Sequence, residues 1–236
     1  LAEKVVTVDF KETPLGNVVE FLQDKLGVPI ELAPGVPKEL PVTVQELPNP
    51  FPADFLTKNP LGLVPVLETA NGCLPEANVI CEYLEDLDIG PSLRPDDALA
   101  RAQMRLIIRQ YELYADPALD LLYKAWRGNP SLPLEASLIG RSRSQFRAGL
   151  QLLGNVLTGT CYALESRLTL TDCALMPPLF QSTLLYAALG ADHPFADMPN
   201  LFSYFNATQL DRHISQALQD MEPPLRGFFA AMRLEK

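Results

Sequence analysis

Reactive sulfur and imidazole are scarce in this chain of 236 residues. It has four cysteines, Cys73, Cys81, Cys161 and Cys173, and no two of them share a Cys-x-x-Cys spacing. That disfavours a disulfide scaffold, a zinc ribbon and a dithiol redox centre. The two histidines, His193 and His213, lie far apart in the chain, so no metal site is expected. Positive charge is short in the first third: residues 1–90 contain no arginine and 5 lysines against 15 acids, a balance of −10, whereas the remaining residues are neutral with 14 of each sign. Nucleic-acid binding, which needs clustered lysine and arginine to displace counterions, is therefore not expected.

Long hydrophobic runs are also rare. The opening LAEKVVTVDF has none of the extended apolar character of a signal peptide, and the expected compartment is the cytoplasm. One uncharged stretch, Cys173 to Ala191, has the length of a membrane span, but Pro177, Pro178, Gln181, Ser182 and Thr183 interrupt it. A buried core helix is the better reading, and no membrane partner is expected.

What is present fits a soluble globular protein of two domains: 47% apolar residues, 20% charged and a mean hydropathy near zero. Eleven of the 22 prolines fall in the first 75 residues, so the front reads as short strands and helices and the back as long helices. Val5–Val8 reads as a strand. Thr13-Pro14 pairs an N-cap residue with a proline at the first helical position, and Leu15, Val18, Val19, Leu22 and Leu26 give a helical stripe closed by Gly27. A second strand is expected within Pro41–Leu47 and a short helix over Ala53–Lys58. Asn71-Gly72 signals a hairpin between Val64–Leu67 and Cys73-Leu74, followed by a helix from about Glu76 to Leu87.

Residues 88–95, with Gly90, Pro91 and Pro95, read as a linker. The spacing beyond predicts a long helix from Asp96 or Asp97 to about Tyr123, bent at Asp116-Pro117, and another over 134–157. Thr169-Leu-Thr-Asp172 has the form of a capping box opening the uncharged helix, and shorter helices are expected at 200–210 and 212–230.

Two segments carry a family likeness. Asn59-Pro-Leu-Gly-Leu-Val-Pro-Val-Leu67, followed by Leu74-Pro-Glu-Ala-Asn-Val-Ile-Cys-Glu-Tyr-Leu84, resembles the glutathione transferase superfamily. Thr13-Pro14 with Val19 has the spacing of that family's active-site turn, and Tyr162 to Asp172 looks like its C-terminal capping motif. Residues 33–52 have no comfortable counterpart. Locally, Val79–Asp86, Ser92–Pro95 and Arg101–Arg105 also look like bacterial members related to lignin β-etherases.

The resemblance implies an α/β plus all-α architecture: a thioredoxin-like, glutathione-binding N-terminal domain at 1–88 and an all-helical C-terminal domain at 96–236, in a homodimer with its site between the domains. It further implies a cis proline at Pro65, with Val64 pairing an extended cysteinyl backbone. The helix start at Glu76, Ala77 and Asn78 would then receive the zwitterionic γ-glutamyl end, since helix-start amides favour a carboxylate and an acid beside them holds an ammonium. The family usually has serine where Ala77 stands, and many relatives have lysine or glutamine where Leu63 stands. Thr13 occupies the position of a thiolate-polarising serine, although a helix cap is an equally physical role for it. Asn17 is the second candidate donor. Arg105, Arg109, Tyr111 and Tyr114 are candidates for the acceptor pocket.

The function implied is glutathione-dependent transfer to a small hydrophobic or aromatic electrophile, ether cleavage and dehalogenation included. Glutathione would be the co-substrate, with no metal. The alternative from another class is a non-catalytic transferase-like binding or assembly protein, favoured by Ala77, Leu63 and the acidic first domain.

Overall fold

A computed structural model describes residues 9–14, 41–45, 53–88, 90–127, 136–159, 161–164 and 167–234, with the side chains of 9–14, 41–45, 53–54, 125–127, 136–137 and 230–234 left undescribed. The chain divides into two compact units, Leu1–Ser92 and Leu93–Lys236.

In the first unit, strands β1 (Asp9–Pro14) and β2 (Pro41–Gln45) form an antiparallel pair, with Thr13 opposite Val42 and Pro14 opposite Pro41. The strand therefore runs through Thr13-Pro14, and these two residues end a strand where the sequence suggested the first turn of a helix. Their partners explain the difference. The β-branched Val42 and Val44 favour extended pairing, and Pro14 at the strand's end costs no ladder donor further in. The strand expected at Val5–Val8 and the helix expected from Leu15 to Gly27, Asn17 with it, lie outside the described residues.

The hairpin is found as expected. Helix α1 (Ala53–Lys58) leads through a loop to β3 (Val66–Thr69), which pairs antiparallel with β4 (Gly72–Pro75). Gly72 takes φ 136°, a conformation that only glycine adopts without strain, and Thr69 Oγ1 donates to the Gly72 carbonyl at 2.8 Å to close the turn. Helix α2 (Ala77–Asp86) follows and packs on both strands.

Among the described residues of the second unit, the regular elements are all helices. Asp97 caps α3 (Ala98–Tyr114) by accepting the Ala100 N–H at 2.8 Å. The single bent helix expected here is instead two, because the chain breaks at Ala115 and restarts as α4 (Asp116–Arg127). Pro117 has no N–H to continue the first ladder but suits a helix start. Then come α5 (Ala136–Val156), α6 (Leu170–Ala188), α7 (Pro199–Thr208) and α8 (Arg212–Leu234), the last running through Pro223 and Pro224.

Met104 and Ile107 of α3, Phe146, Leu150 and Leu153 of α5, Leu175, Met176 and Leu179 of α6 and Leu201 of α7 fill the interior of this unit. Beyond Asp172 in its first turn, α6 carries no charge and buries residues on most of its faces, so it is the central helix of this unit. No helix among the described residues is long and apolar enough to cross a membrane.

Candidate functional site

The register of the β3–β4 hairpin brings two segments together. Val66 faces Pro75, so the loop entering β3 and the turn from β4 into α2 lie at the same end of the ribbon. Asn59 builds the loop. Its side chain is only 3% exposed, yet it makes two bonds: Nδ2 donates to the Leu63 carbonyl at 2.7 Å, and Oδ1 accepts the Leu61 N–H at 3.2 Å. Its backbone donates to Phe55 and accepts from Gly62, both at 2.9 Å.

Asn59 thus ties the end of α1 to the residues just before Val64-Pro65, whose peptide bond is cis. The sequence offered a signal for it, since an asparagine before proline favours a side-chain-closed turn. A buried asparagine also leaves its loop little freedom, because an unmade bond there would cost about 1–3 kcal/mol. Beyond the tied backbone the side chains are open: Leu61, Leu63 and Val64 are 70%, 56% and 62% exposed. Lys58, the basic residue that precedes the loop, is engaged by Glu68 at 2.6 Å.

Across the hairpin end, Glu76 is the N-cap of α2 at φ 76° and ψ 112°, and its side chain makes no capping bond. A glutamate in that region of backbone space stores about 1–3 kcal/mol of strain, a cost found mostly where a site needs the geometry. The first α2 amide paired within the helix is that of Ile80, to the Glu76 carbonyl at 2.9 Å. The first turn of α2 has no acidic residue, and Glu76 and Ala77 are both exposed. An exposed, strained helix start with a carboxylate at its N-cap can hold a carboxylate and an ammonium together.

Val64, Pro65, Glu76, Ala77 and Asn78 therefore collect at one end of one hairpin. Thr13 lies in β1 of the same unit. Cys81, on α2, is half-buried, and burial followed by the charges of Glu85 and Glu82 pushes its thiol pKa up, which keeps it protonated and unreactive.

The four acceptor candidates do not form one cluster. Arg105 and Arg109 sit one turn apart on the exposed side of α3, with Arg109 bonded to Glu112 at 3.1 Å. Tyr114 is exposed at the end of the helix. Tyr111 is buried in the helical core, where desolvation and the adjacent Asp116 raise its pKa well above the ordinary phenol value. Tyr111 is a packing residue, because positions 104, 107, 108 and 111 share the helix's buried face.

With this geometry in place, likeness to known proteins becomes informative. The family model for the glutathione S-transferase N-terminal domain matches residues 35–87. A glutathione S-transferase of Pseudomonas putida is 26% identical over 182 residues, covering 77% of this chain and 81% of that one. A stringent starvation protein A homolog of Haemophilus ducreyi is 30% identical over 145 residues, or 61% and 64% of the two chains.

Among solved structures, maleylacetoacetate isomerase of Methylobacterium extorquens, with bound malonate and GSH, superposes with a TM-score of 0.57 at 25% identity. That match covers 74% of this chain and 79% of the other. Residues 35–87 thus match the glutathione S-transferase N-terminal domain, and the chain is similar in sequence and fold to glutathione transferases, with a thioredoxin-like N-terminal domain followed by helices. The kinship is with glutathione transferase enzymes, at modest identity.

Proposed function

We propose that the protein transfers the glutathione thiol to a small hydrophobic or aromatic electrophile. The observation that carries this reading is the meeting of the exposed Val64, which follows the Leu63 carbonyl bonded by Asn59, with the strained start of α2 at one hairpin end. The Val64 backbone pairs with the cysteinyl unit as an added strand does. The α2 amides take the γ-glutamyl carboxylate, and Glu76 takes its ammonium. Thr13 donates to the thiolate, with Asn17 as second donor, and so raises the ionised fraction near neutral pH.

With an aryl halide as acceptor, the thiolate sulfur forms a bond to the ring carbon and the carbon–halogen bond breaks. Halide leaves with the electron pair, and the thiol proton has passed to solvent. Ether cleavage follows the same course with an alkoxide or phenoxide leaving group that takes up a proton. Arg105, Arg109 and Tyr114 are the side chains on α3 offered to an anionic or aromatic acceptor. Cytoplasmic location and a homodimer complete the reading, the latter supported by Val79 and Tyr83 of α2 and by Leu87 at its C-cap, all exposed. Light scattering that returns only monomer would remove the dimer.

Two substitutions test the assignment against chlorodinitrobenzene with reduced glutathione. Thr13→Ala should lower kcat/KM by about tenfold to a hundredfold, the scale of one hydrogen bond to a charged group, about 1.5–3 kcal/mol. Glu76→Gly should raise thermal stability slightly, by about 0.5–1 kcal/mol, because glycine relieves the positive φ. The same variant should weaken glutathione binding by about tenfold through loss of a charge-assisted bond. A non-catalytic binding protein, the reading that Ala77 and Leu63 favour, would show wild-type turnover at the solution rate and no effect of Thr13→Ala.

A further inference from the structure

We propose that the thiol ligand preferred by this site is a γ-glutamyl-cysteinyl peptide whose carboxy-terminal end is uncharged and apolar, rather than glutathione with its free glycyl carboxylate. The proposal rests on the preceding reading of Val64 and the α2 start, and it says which ligand of that class fits best.

The hairpin register sets the direction. With the γ-glutamyl end on the amides of α2 and the cysteinyl unit on Val64, the remainder of an extended peptide runs away from α2, onto the loop that precedes Val64. That loop is held in place by Asn59 and presents Leu61 and Leu63, 70% and 56% exposed. Gly62 between them, at φ 63°, adds no side chain. Lys58, the basic residue that precedes the loop, is held by Glu68 at 2.6 Å, so this ion pair presents no net positive charge. The wider unit adds repulsion, because residues 1–90 carry 15 acids against 5 lysines.

A carboxylate laid on such a surface gives up hydration and gains no partner, while an alkyl ester buries its carbons against leucine. Like-charge repulsion further weakens the anion, and added salt screens it.

Calorimetric titration of the full chain with reduced glutathione and with its glycyl ethyl ester tests this. The ester should bind about tenfold more tightly at low salt, a ratio in keeping with burying its two added carbons. Raising the salt should strengthen glutathione binding and leave the ester unchanged. Leu63→Lys, a change at an exposed position, should reverse the order by supplying a cation. Glutathione binding as tightly as the ester, or more tightly, in the unsubstituted protein overturns the proposal while leaving the transferase reading intact. Binding of neither ligand overturns both.

Discussion

Replacing Asp172 with alanine should unfold the helical unit at markedly lower temperature, with a loss of about 3–5 kcal/mol and a midpoint drop of roughly 10 °C. The carboxylate is fully buried and accepts four bonds. Oδ2 takes the Thr169 N–H at 2.9 Å and the Thr169 hydroxyl at 3.1 Å, and Oδ1 takes the Ala163 N–H at 2.8 Å and the Tyr204 hydroxyl at 3.1 Å. Together they join the start of α6, the preceding loop and α7.

Alanine would strand these donors away from water, and their summed cost exceeds that of any lost packing. Asparagine should recover part of the loss, since it keeps one accepting oxygen but points an N–H₂ group at donors. Burial raises the Asp172 pKa despite the bonds from Ala163, Thr169 and Tyr204, which lower it. The sign follows: protonation favours the folded state, so this group's contribution is greatest below its unfolded pKa and is lost as pH rises through the raised folded value. Thermal unfolding followed by circular dichroism checks the prediction, and a change below about 1 kcal/mol would show that the network carries little.

Gly149→Ala should be almost as damaging, at about 2–4 kcal/mol, although it adds one methyl group. A Cβ at Gly149 would fall on the Tyr114 carbonyl oxygen, 2.6 Å from its carbon and 2.8 Å from the Ala115 Cα. These are backbone atoms at the break between α3 and α4, so no rotamer change relieves the overlap and α5 must move away as a body. Helix propensity alone would favour alanine by about 1 kcal/mol, which makes the sign diagnostic. Urea denaturation showing a stabilised Gly149→Ala variant would mean that α5 does not pack this closely against the break. Gly140, with open space around its Cβ direction, is the internal control, and alanine there should be neutral or stabilising.

The two predictions mark what the sequence could and could not show. The capping box at Thr169–Asp172 is legible because its acceptor and donors are close in sequence, but Ala163 and Tyr204, the other two partners of Asp172, lie outside it. Gly149 looks like a weak point in an amphipathic pattern, and only its packing partner gives it meaning. The hairpin, α2 and the helical second unit were readable from Asn71-Gly72 and from apolar periodicity. The break at Ala115 was readable as a bend but not as two helices, since proline suits a helix start as well as a kink.

At this hairpin end the cis Val64-Pro65 bond was legible by resemblance to a family, whereas Asn59 was passed over because its role lies in two bonds made by a buried side chain. Tyr111 was misplaced for a related reason: an aromatic residue on an amphipathic helix looks the same whether it faces a cleft or a core.

The central claim is that the hairpin end formed by the Asn59 loop and the α2 start holds a γ-glutamyl thiol. Calorimetric titration with reduced glutathione at moderate salt tests it most directly. A dissociation constant below about 1 mM, raised about tenfold by Glu76→Gly but unchanged by Gly140→Ala, is the result predicted. No heat of binding at several times that concentration, or binding indifferent to Glu76, would contradict it.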